Sequence, residues 1–346
     1  MGYTYKDSDS NNTTKHTSAP VAAIVTPSVV VSLAIVILVC YLCWRHKRKC
    51  KYTGVAGDAE SSSNAESSSK TAFGIKLLHD VEDAVVDIIF IHGLGGHRER
   101  TWRANGASNP WPQTLLPSKV PNARILTFGY GADVADWVRM VSANSLGNHA
   151  MNLLTAIATY REEDKTNNRP IIFVCHSLGG LLCEDALSRQ RPDKHIKRIS
   201  ECTRAVAFLG TPHHGSDLAK WAETLAKTIG VFKRVNTKLL AVLKRDSEVL
   251  ARVQDSFHTM IMSRRQDGLP PIAITCFFEQ VPLSNVGLVV PSHSAILPGY
   301  MPIGIHKNHS DMTKFRGLDD DDFKAVAGEI RRWVKELEEE GDFGPL

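Results

Sequence analysis

An apolar run that stops abruptly at a serine between small residues is the feature that most constrains this fold. Residues 171–180 read Ile-Ile-Phe-Val-Cys-His-Ser-Leu-Gly-Gly. A buried strand followed by a sharp turn and a helix lifts the Ser177 hydroxyl above the edge of a sheet, and small neighbours let strand and helix pass closely. The first small position is usually glycine and is Cys175 here. Taken alone, the pattern leaves open an ordinary strand followed by a helix with a serine cap.

A second apolar strand lies within Val85–His97 and ends in a glycine-rich loop. If Ser177 is a nucleophile, acyl transfer needs two backbone N–H groups aimed at a developing oxyanion. The residue after the nucleophile, Leu178, would supply one, and the loop would supply the other from Leu94. A dinucleotide-binding fingerprint is the alternative, but Arg98 occupies the place of its last glycine.

A third strand is predicted within Cys202–Ser216, and its last residues belong to the carboxyl edge of the sheet, where open α/β sheets place their sites. His213 and His214 suggest a metal site at first sight. No third ligand lies at metal-binding spacing nearby. We therefore interpret these histidines as residues that shape the pocket.

One candidate acid and one candidate base follow in the C-terminal part of the chain. Pro271–Glu279 reads as a strand that ends in a carboxylate, Gly287–Ala295 is another strand candidate, and His309 precedes the final helix. The order serine, acid, histidine is that of α/β-hydrolase triads. The prediction is Ser177, Glu279 and His309, with alternatives left open: His293 and His306 for the base, and Asp311 and Asp217 for the acid.

Each residue type of the predicted triad has a chemical role in acyl transfer. A serine hydroxyl is a poor nucleophile unless a neighbouring base removes its proton. Histidine, with an ordinary pKa of about 6.5, does this near neutral pH. A carboxylate fixes the imidazole tautomer and stabilises the imidazolium that forms. Beside this triad, the predicted substrate-binding residues are His92, His176, Trp221 and Leu225.

Five segments together resemble those of a known family. They are Ile89–His97 with Thr101-Trp102, Arg124–Tyr130, Phe173–Gly180, Leu209–Ser216 and Asn308–Phe315. The chain is similar to α/β-hydrolase serine lipases related to the GPI inositol-deacylases and to the serine-active-site-containing protein of mitochondrial lipid remodelling, and especially to fungal hydrolase modules of this group. The resemblance covers roughly residues 74–335 and implies ester hydrolysis or acyl transfer on lipids.

The N-terminal part has a different character. Residues 17–44 contain no Asp, Glu, Lys or Arg, and residues 21–44 are mostly Val, Ile, Leu and Ala. A helix of that length extends about 36 Å, enough for a hydrocarbon core of about 30 Å. A signal peptide would have a shorter apolar run and a cleavage site, and a transit peptide would lack acidic residues such as Asp7. We predict a transmembrane helix at 21–44 behind a tail at 1–20.

The basic cluster Arg45–Lys51 sets the predicted orientation. Positive residues stay on the cytosolic side, so the tail would be luminal or extracellular and the main domain cytosolic. The cluster holds five of the 41 Lys and Arg residues, and the remaining 36 face 37 Asp and Glu. The formal charge of +4 is therefore a membrane-surface feature and not a nucleic-acid footprint. The sequence does not identify the organelle; an endomembrane or a mitochondrial contact fits.

The rest of the chain is predicted to form one large domain. Residues 45–72 join the basic segment to a Ser-rich linker, and 73–340 form an α/β domain of α/β-hydrolase fold with a mostly parallel sheet. Helices are predicted at 144–161, 178–190 and 318–339. Residues 216–265 are predicted to form a helical, lid-like insertion, whose apolar positions recur at helical spacing: Leu218, Trp221, Leu225, Ile229 and Phe232.

The sequence therefore predicts a membrane-tethered serine hydrolase that acts on lipid or acyl esters. No metal or organic cofactor is implied, and the expected partners are the substrate and the membrane. Two alternatives stay open. One is a catalytically silent scaffold of the same fold that binds lipid or protein, and the other is a protein acyl-thioesterase or peptidase.

Overall fold

The computed structural model describes residues 73–132, 143–189, 193–213, 221, 224 and 251–342. No helix within these ranges is both long and apolar enough to cross a bilayer. The predicted span at 21–44, the tail, the linker and most of the predicted lid lie outside the described residues.

In the described part of the chain, seven strands form one sheet in the order β1-β3-β2-β4-β5-β6-β7. β1 is antiparallel to β3, and every other neighbouring pair is parallel. The strands are β1 Gly74–His79, β2 Val86–Ile91, β3 Ala123–Gly129, β4 Ile171–His176, β5 Thr203–Leu209, β6 Ala273–Glu279 and β7 Met301–Ile305.

Helices cover both faces of this sheet, as parallel strands require. The α-helices are α1 Trp111–Thr114, α2 Ala143–Glu163, α3 Leu178–Ser188, α4 Lys194–Cys202, α5 Ser292–Ala295 and α6 Asp321–Asp342, with 3-10 turns at Arg100–Trp102 and Leu116–Ser118. Residues 251–263 are also helical. The helices predicted at 144–161, 178–190 and 318–339 thus correspond to α2, α3 and α6.

Strand β2 shows why the core has two halves. Ile89 and Ile91 pack in the cluster that contains α2 and α3, whereas Ile88 and Phe90 pack in the cluster that contains Trp111 and α6. Successive side chains of a strand point to opposite faces, so a continuous apolar run fills both halves. Mostly parallel strands with helices on both faces, together with the serine turn between β4 and α3, give the α/β-hydrolase fold.

One predicted strand is absent from the structure. Gly287–Ala295 forms no strand: Leu283 and Gly287 share a single bridge, and Ser292–Ala295 form the short helix α5. Pro291 has no N–H to donate to a ladder, and the Val290 N–H donates to Glu279 instead. The last strand is β7, which begins only at Met301. It tolerates Pro302 because it lies at the end of the sheet.

A charged cluster closes the amino edge of the sheet. Asp87, fully buried on β2, lies 2.8 Å from Arg124, 2.5 Å from Arg161 and 3.2 Å from Arg169. A buried carboxylate needs such partners because leaving it unpaired costs several kcal/mol. The cluster ties α2 to β2, to β3 and to the segment just before β4, at the edge opposite Ser177.

Candidate active site

Ser177 stands between β4 and α3 in a strained backbone conformation. Its φ and ψ are 52° and −123°, a region that non-glycine residues rarely adopt. The strain is held by the Ser177 N–H, which donates to the Leu209 carbonyl at 2.9 Å. A Cβ on Gly179 would lie 2.5 Å from the His92 carbonyl oxygen, and one on Gly180 would lie 2.1 Å from Thr211 Oγ1. The small residues after the serine are therefore required by close contact with the neighbouring strands' ends.

The structure brings His309 to this serine across 132 positions of sequence. His309 Nε2 lies 3.0 Å from Ser177 Oγ, and both residues are buried. Parallel strands β4, β6 and β7 end at the same edge, and His309 follows β7 closely enough to reach the turn after β4. Burial and the neighbouring His176 hold the pKa of His309 well below its usual value, so the ring is neutral and Nε2 can accept a proton.

Glu279 ends β6 and lies on the other side of the same imidazole. Its Oε1 is 3.7 Å from His309 Nδ1 and accepts the Val290 N–H at 2.5 Å. Within the described residues, Glu279 Oε2 and His309 Nδ1 have no hydrogen-bond partner. Burial raises the pKa of Glu279 to about 7, although hydrogen bonds from backbone N–H groups, Val290 first, oppose this shift. The carboxyl is placed to interact with the imidazole, at a distance longer than a hydrogen bond.

The alternative base and acid residues considered from the sequence have other surroundings than His309 and Glu279. His293 and His306 are exposed, whereas His309 has its Nε2 within hydrogen-bond distance of Ser177 Oγ. Asp311 accepts from Asn308 Nδ2 at 2.9 Å and pairs with Lys314 at 3.1 Å, and its side chain is half-exposed. Its carboxylate is thus engaged in its own loop. Asp217 lies outside the described residues.

The glycine-rich loop after β2 passes directly over the nucleophile. A Cβ on Gly93 would lie 2.7 Å from Ser177 Cβ, so only glycine permits this approach. The turn is tied down because the Gly95 N–H donates to Ala132 O at 2.7 Å and the Gly96 N–H donates to Gly93 O at 3.0 Å. Leu94 lies between these anchors. Leu178 is the first residue of α3, where N–H groups have no intrahelical acceptor.

The two histidines predicted to contact substrate are buried beside this loop. His92 stacks on Tyr130 at 4.5 Å between ring centroids, and the Tyr130 hydroxyl donates to the His92 carbonyl at 2.8 Å. His176 Nε2 lies 3.0 Å from the His309 carbonyl oxygen. Burial lowers the pKa of His92 and of His176 to about 4, so both rings are neutral. Their observed contacts hold the loops around Ser177; substrate contact stays a prediction.

The predicted lid is seen only in part. Trp221 is helical and buried within the core cluster that contains α3, and residues 251–263 are helical. Leu225 and the other predicted apolar positions of the insertion lie outside the described residues, and so does His214, which was predicted to shape the pocket. Contact of Trp221 and Leu225 with substrate therefore also stays a prediction.

Known proteins with similar sequences carry one name. Protein SERAC1 of Danio rerio is 27% identical over 252 residues, which are 65% of this chain and 36% of that protein. Protein SERAC1 of Homo sapiens is 27% identical over 266 residues, 70% of this chain and 38% of that protein. The chain thus spans less than two fifths of the length of these relatives. No protein-family model matches the chain.

Solved structures with a similar arrangement include esterases. Esterase B from Lactobacillus rhamnosis is 12% identical with a TM-score of 0.43 and covers 90% of this chain and 98% of its own. A thermostable carboxyl esterase from Bacillus coagulans is 13% identical with a TM-score of 0.39 and covers 76% and 93%. Because these identities and TM-scores are low, the fold assignment is based on the strand order and the serine turn of this chain. The predicted kinship with GPI inositol-deacylases and fungal modules stays a prediction.

Proposed function

We propose that this chain is a membrane-anchored serine hydrolase that cleaves lipid or other carboxylic esters, or transfers their acyl groups. The observation that carries the proposal is the 3.0 Å contact between His309 Nε2 and the oxygen of Ser177, a residue in the strained turn of a nucleophile elbow. Nucleophile and base within hydrogen-bond reach, with a carboxylate behind the base, are the signature of covalent catalysis by serine.

The reaction follows from this arrangement. His309 Nε2 takes the proton of the Ser177 hydroxyl while Oγ attacks the ester carbonyl carbon. The carbonyl oxygen becomes an oxyanion, and in this proposal the backbone N–H groups of Leu94 and Leu178 stabilise it. The imidazolium then gives its proton to the departing alcohol oxygen, leaving an acyl group on Ser177. A water activated by the same histidine releases the acid; an acceptor alcohol in its place would give acyl transfer.

Glu279 has a separate role in this proposal. It does not touch the substrate but stabilises the imidazolium that forms in each half-reaction and fixes its orientation. The positive charge draws the carboxyl toward its ionised form, because opposite charges close together in a buried site interact strongly.

We expect ester chain length to control activity. Burying a methylene contributes about 0.8 kcal/mol, roughly a fourfold gain per carbon, until the pocket is full. On a series of p-nitrophenyl esters from acetate to laurate, kcat/KM should rise with length, and phospholipid in vesicles should be cleaved. Trp221→Ser should lower activity on long chains most, because an apolar wall is removed.

Activity on the acetate ester is the internal control for this series. Trp221 is buried, so a variant that merely loosens the fold would lose short-chain and long-chain activity alike. A flat or falling profile, without activity on vesicle lipid, would contradict the lipid assignment and leave a small-ester or thioester enzyme.

The anchor is a second element of the proposal, supported by the uncharged segment 21–44 and by the basic cluster that follows it. Protease added to sealed microsomes is expected to digest residues 73–346 and to spare the tail at 1–20. Detergent-opened microsomes are the control, in which both parts should be cleaved. Full protection of the hydrolase domain in sealed vesicles would reverse the proposed orientation.

A further inference from the structure

The end of β5 and the loop that follows it, residues 210–213, lie against both proposed catalytic residues. The residue just before it, Leu209, accepts the Ser177 N–H at 2.9 Å. Gly210 has a φ of +59°, and a Cβ there would lie 2.9 Å from His309 Nδ1 and Cε1. The backbone of this loop is therefore the surface against which the His309 ring rests.

The far end of the same loop is held by a buried charged pair. His213 Nδ1 lies 2.7 Å from Glu184 Oε1, and both side chains are fully buried. The His213 N–H also donates to the Ser294 carbonyl at 2.6 Å. Burial alone lowers the pKa of His213, but the Glu184 carboxylate and the Cys276 thiol outweigh burial and raise it to about 9. The imidazole of His213 is thus favoured in its protonated form at neutral pH.

Stability alone gives little reason for an ion pair at this place. Removing two charges from water is costly, and well-packed apolar side chains of similar volume are often at least as stabilising. Neither residue is within the Ser177–His309–Glu279 set. However, Glu184 lies on α3 seven residues after Ser177, which is about two helical turns. The pair therefore connects the helix that begins at the nucleophile with the loop that supports the base.

We propose that Glu184 and His213 are positioning residues, which fix the loop 210–213 against α3 and thereby hold the His309 ring in line with Ser177 Oγ. This inference rests on the proposed serine-hydrolase function. It assigns a role to the histidine of the Thr211-Pro212-His213 segment that is neither metal binding nor substrate contact.

The decisive variant is Glu184→Gln. Without the carboxylate, burial keeps His213 neutral, so no unpaired charge is left inside the protein. A displacement of about 1 Å between reacting atoms costs about 10²-fold in rate. We expect kcat on p-nitrophenyl butyrate to fall about tenfold to hundredfold with KM within about twofold of the wild type. Asp185→Asn is the matched control: it removes the next carboxylate of α3, which is also buried but pairs with the partly exposed Arg189, and it should leave kcat unchanged.

A pH profile separates positioning from packing. The titratable groups that face His213 are Glu184 from α3 and Cys276 from β6. The pair is intact below the pKa of His213 and is lost as pH rises through it. The wild type should therefore lose kcat above about pH 9, whereas Glu184→Gln should lack this limb. Glu184→Asp, which keeps the charge, should recover part of the rate.

A second variant covers the case in which Glu184→Gln does not fold. Glu184→Leu combined with His213→Leu replaces the pair by apolar side chains and should keep or raise the melting temperature while kcat falls. Wild-type kcat in the folded variants, within about twofold, would overturn the inference and make the pair structural. A wild type that neither cleaves esters nor reacts with fluorophosphonate would instead overturn the proposed function itself.

Discussion

Replacing Ser177 with alanine is expected to abolish both ester hydrolysis and labelling by a fluorophosphonate. Fluorophosphonates react with serine oxygens that a neighbouring base has activated, and His309 Nε2 lies 3.0 Å from this oxygen. Loss of such a nucleophile costs about 10⁶-fold in kcat, which places the variant at the background rate. Removing the hydroxyl takes away one atom and no backbone contact, so the melting temperature should stay close to that of the wild type.

Ser310→Ala is the matched control for this experiment. Ser310 is exposed and adjacent to His309 in sequence, but His309 Nε2 contacts Ser177. The control should be labelled and should turn over ester as the wild type does. Labelling that persists in Ser177→Ala would assign the chemistry to a different serine, and an unlabelled wild type would favour the catalytically silent scaffold.

The nucleophile turn could be predicted from sequence because its determinants are local. A buried strand, a serine and the glycines after it lie within ten consecutive positions. The two glycines are required by close contacts, Gly179 with the His92 carbonyl and Gly180 with Thr211. The convergence of the segments that carry Ser177, Glu279 and His309 could also be predicted, since parallel strands place their carboxyl ends at one edge. The contact between His309 and Ser177 follows from this rule.

The region between β6 and β7 could not be predicted in the same way. Gly287–Ala295 has strand-like composition, yet its Val290 N–H serves the Glu279 carboxyl and its last four residues turn into α5. A side chain from another strand decides this conformation, and local propensity contains no information about it. Helix α4 escaped prediction because it is short and mostly polar. Its apolar side consists of only Ile196, Ile199 and Cys202, and its start is marked by the cap Asp193, which accepts the His195 and Ile196 N–H groups.

The long-range polar contacts of the site were also beyond sequence reasoning. Tyr130 supports the His92 carbonyl, and Glu184 pairs with His213, each through side chains that are distant in sequence. Glutamate on a helix is ordinarily a solvated residue. Only the position of Glu184 on the buried face of α3, visible as an interruption in the apolar run after Ser177, could have drawn attention to it.

Glu279→Gln is expected to lower kcat by about 10⁴-fold, the cost of losing the orienting carboxylate in a serine triad. The amide keeps the shape of the side chain and can still accept the Val290 N–H, so the fold should be retained. It supplies no negative charge 3.7 Å from His309 Nδ1, and the imidazolium loses its counter-ion. Asp311→Asn is the control, because that carboxylate pairs with Lys314 and is half-exposed; its effect should be mild. The reverse ranking would make Asp311 the acid.

The pH dependence of the same two variants tests the role of Glu279 independently of the size of the loss. Burial raises the pKa of Glu279 to about 7, so the carboxyl is protonated below that pH and cannot stabilise an imidazolium. Because Glu279 and His309 are close enough to titrate together, the apparent pKa seen in the pH profile of kcat/KM belongs to the pair and not to either residue alone. For the wild type and for Asp311→Asn, kcat/KM should rise as pH increases through about 7. Glu279→Gln should be flat across this window, since His309, whose pKa is held well below its usual value, is already neutral there. An identical limb in Glu279→Gln would show that another group near the nucleophile titrates, and that Glu279 serves only to hold the backbone of Val290.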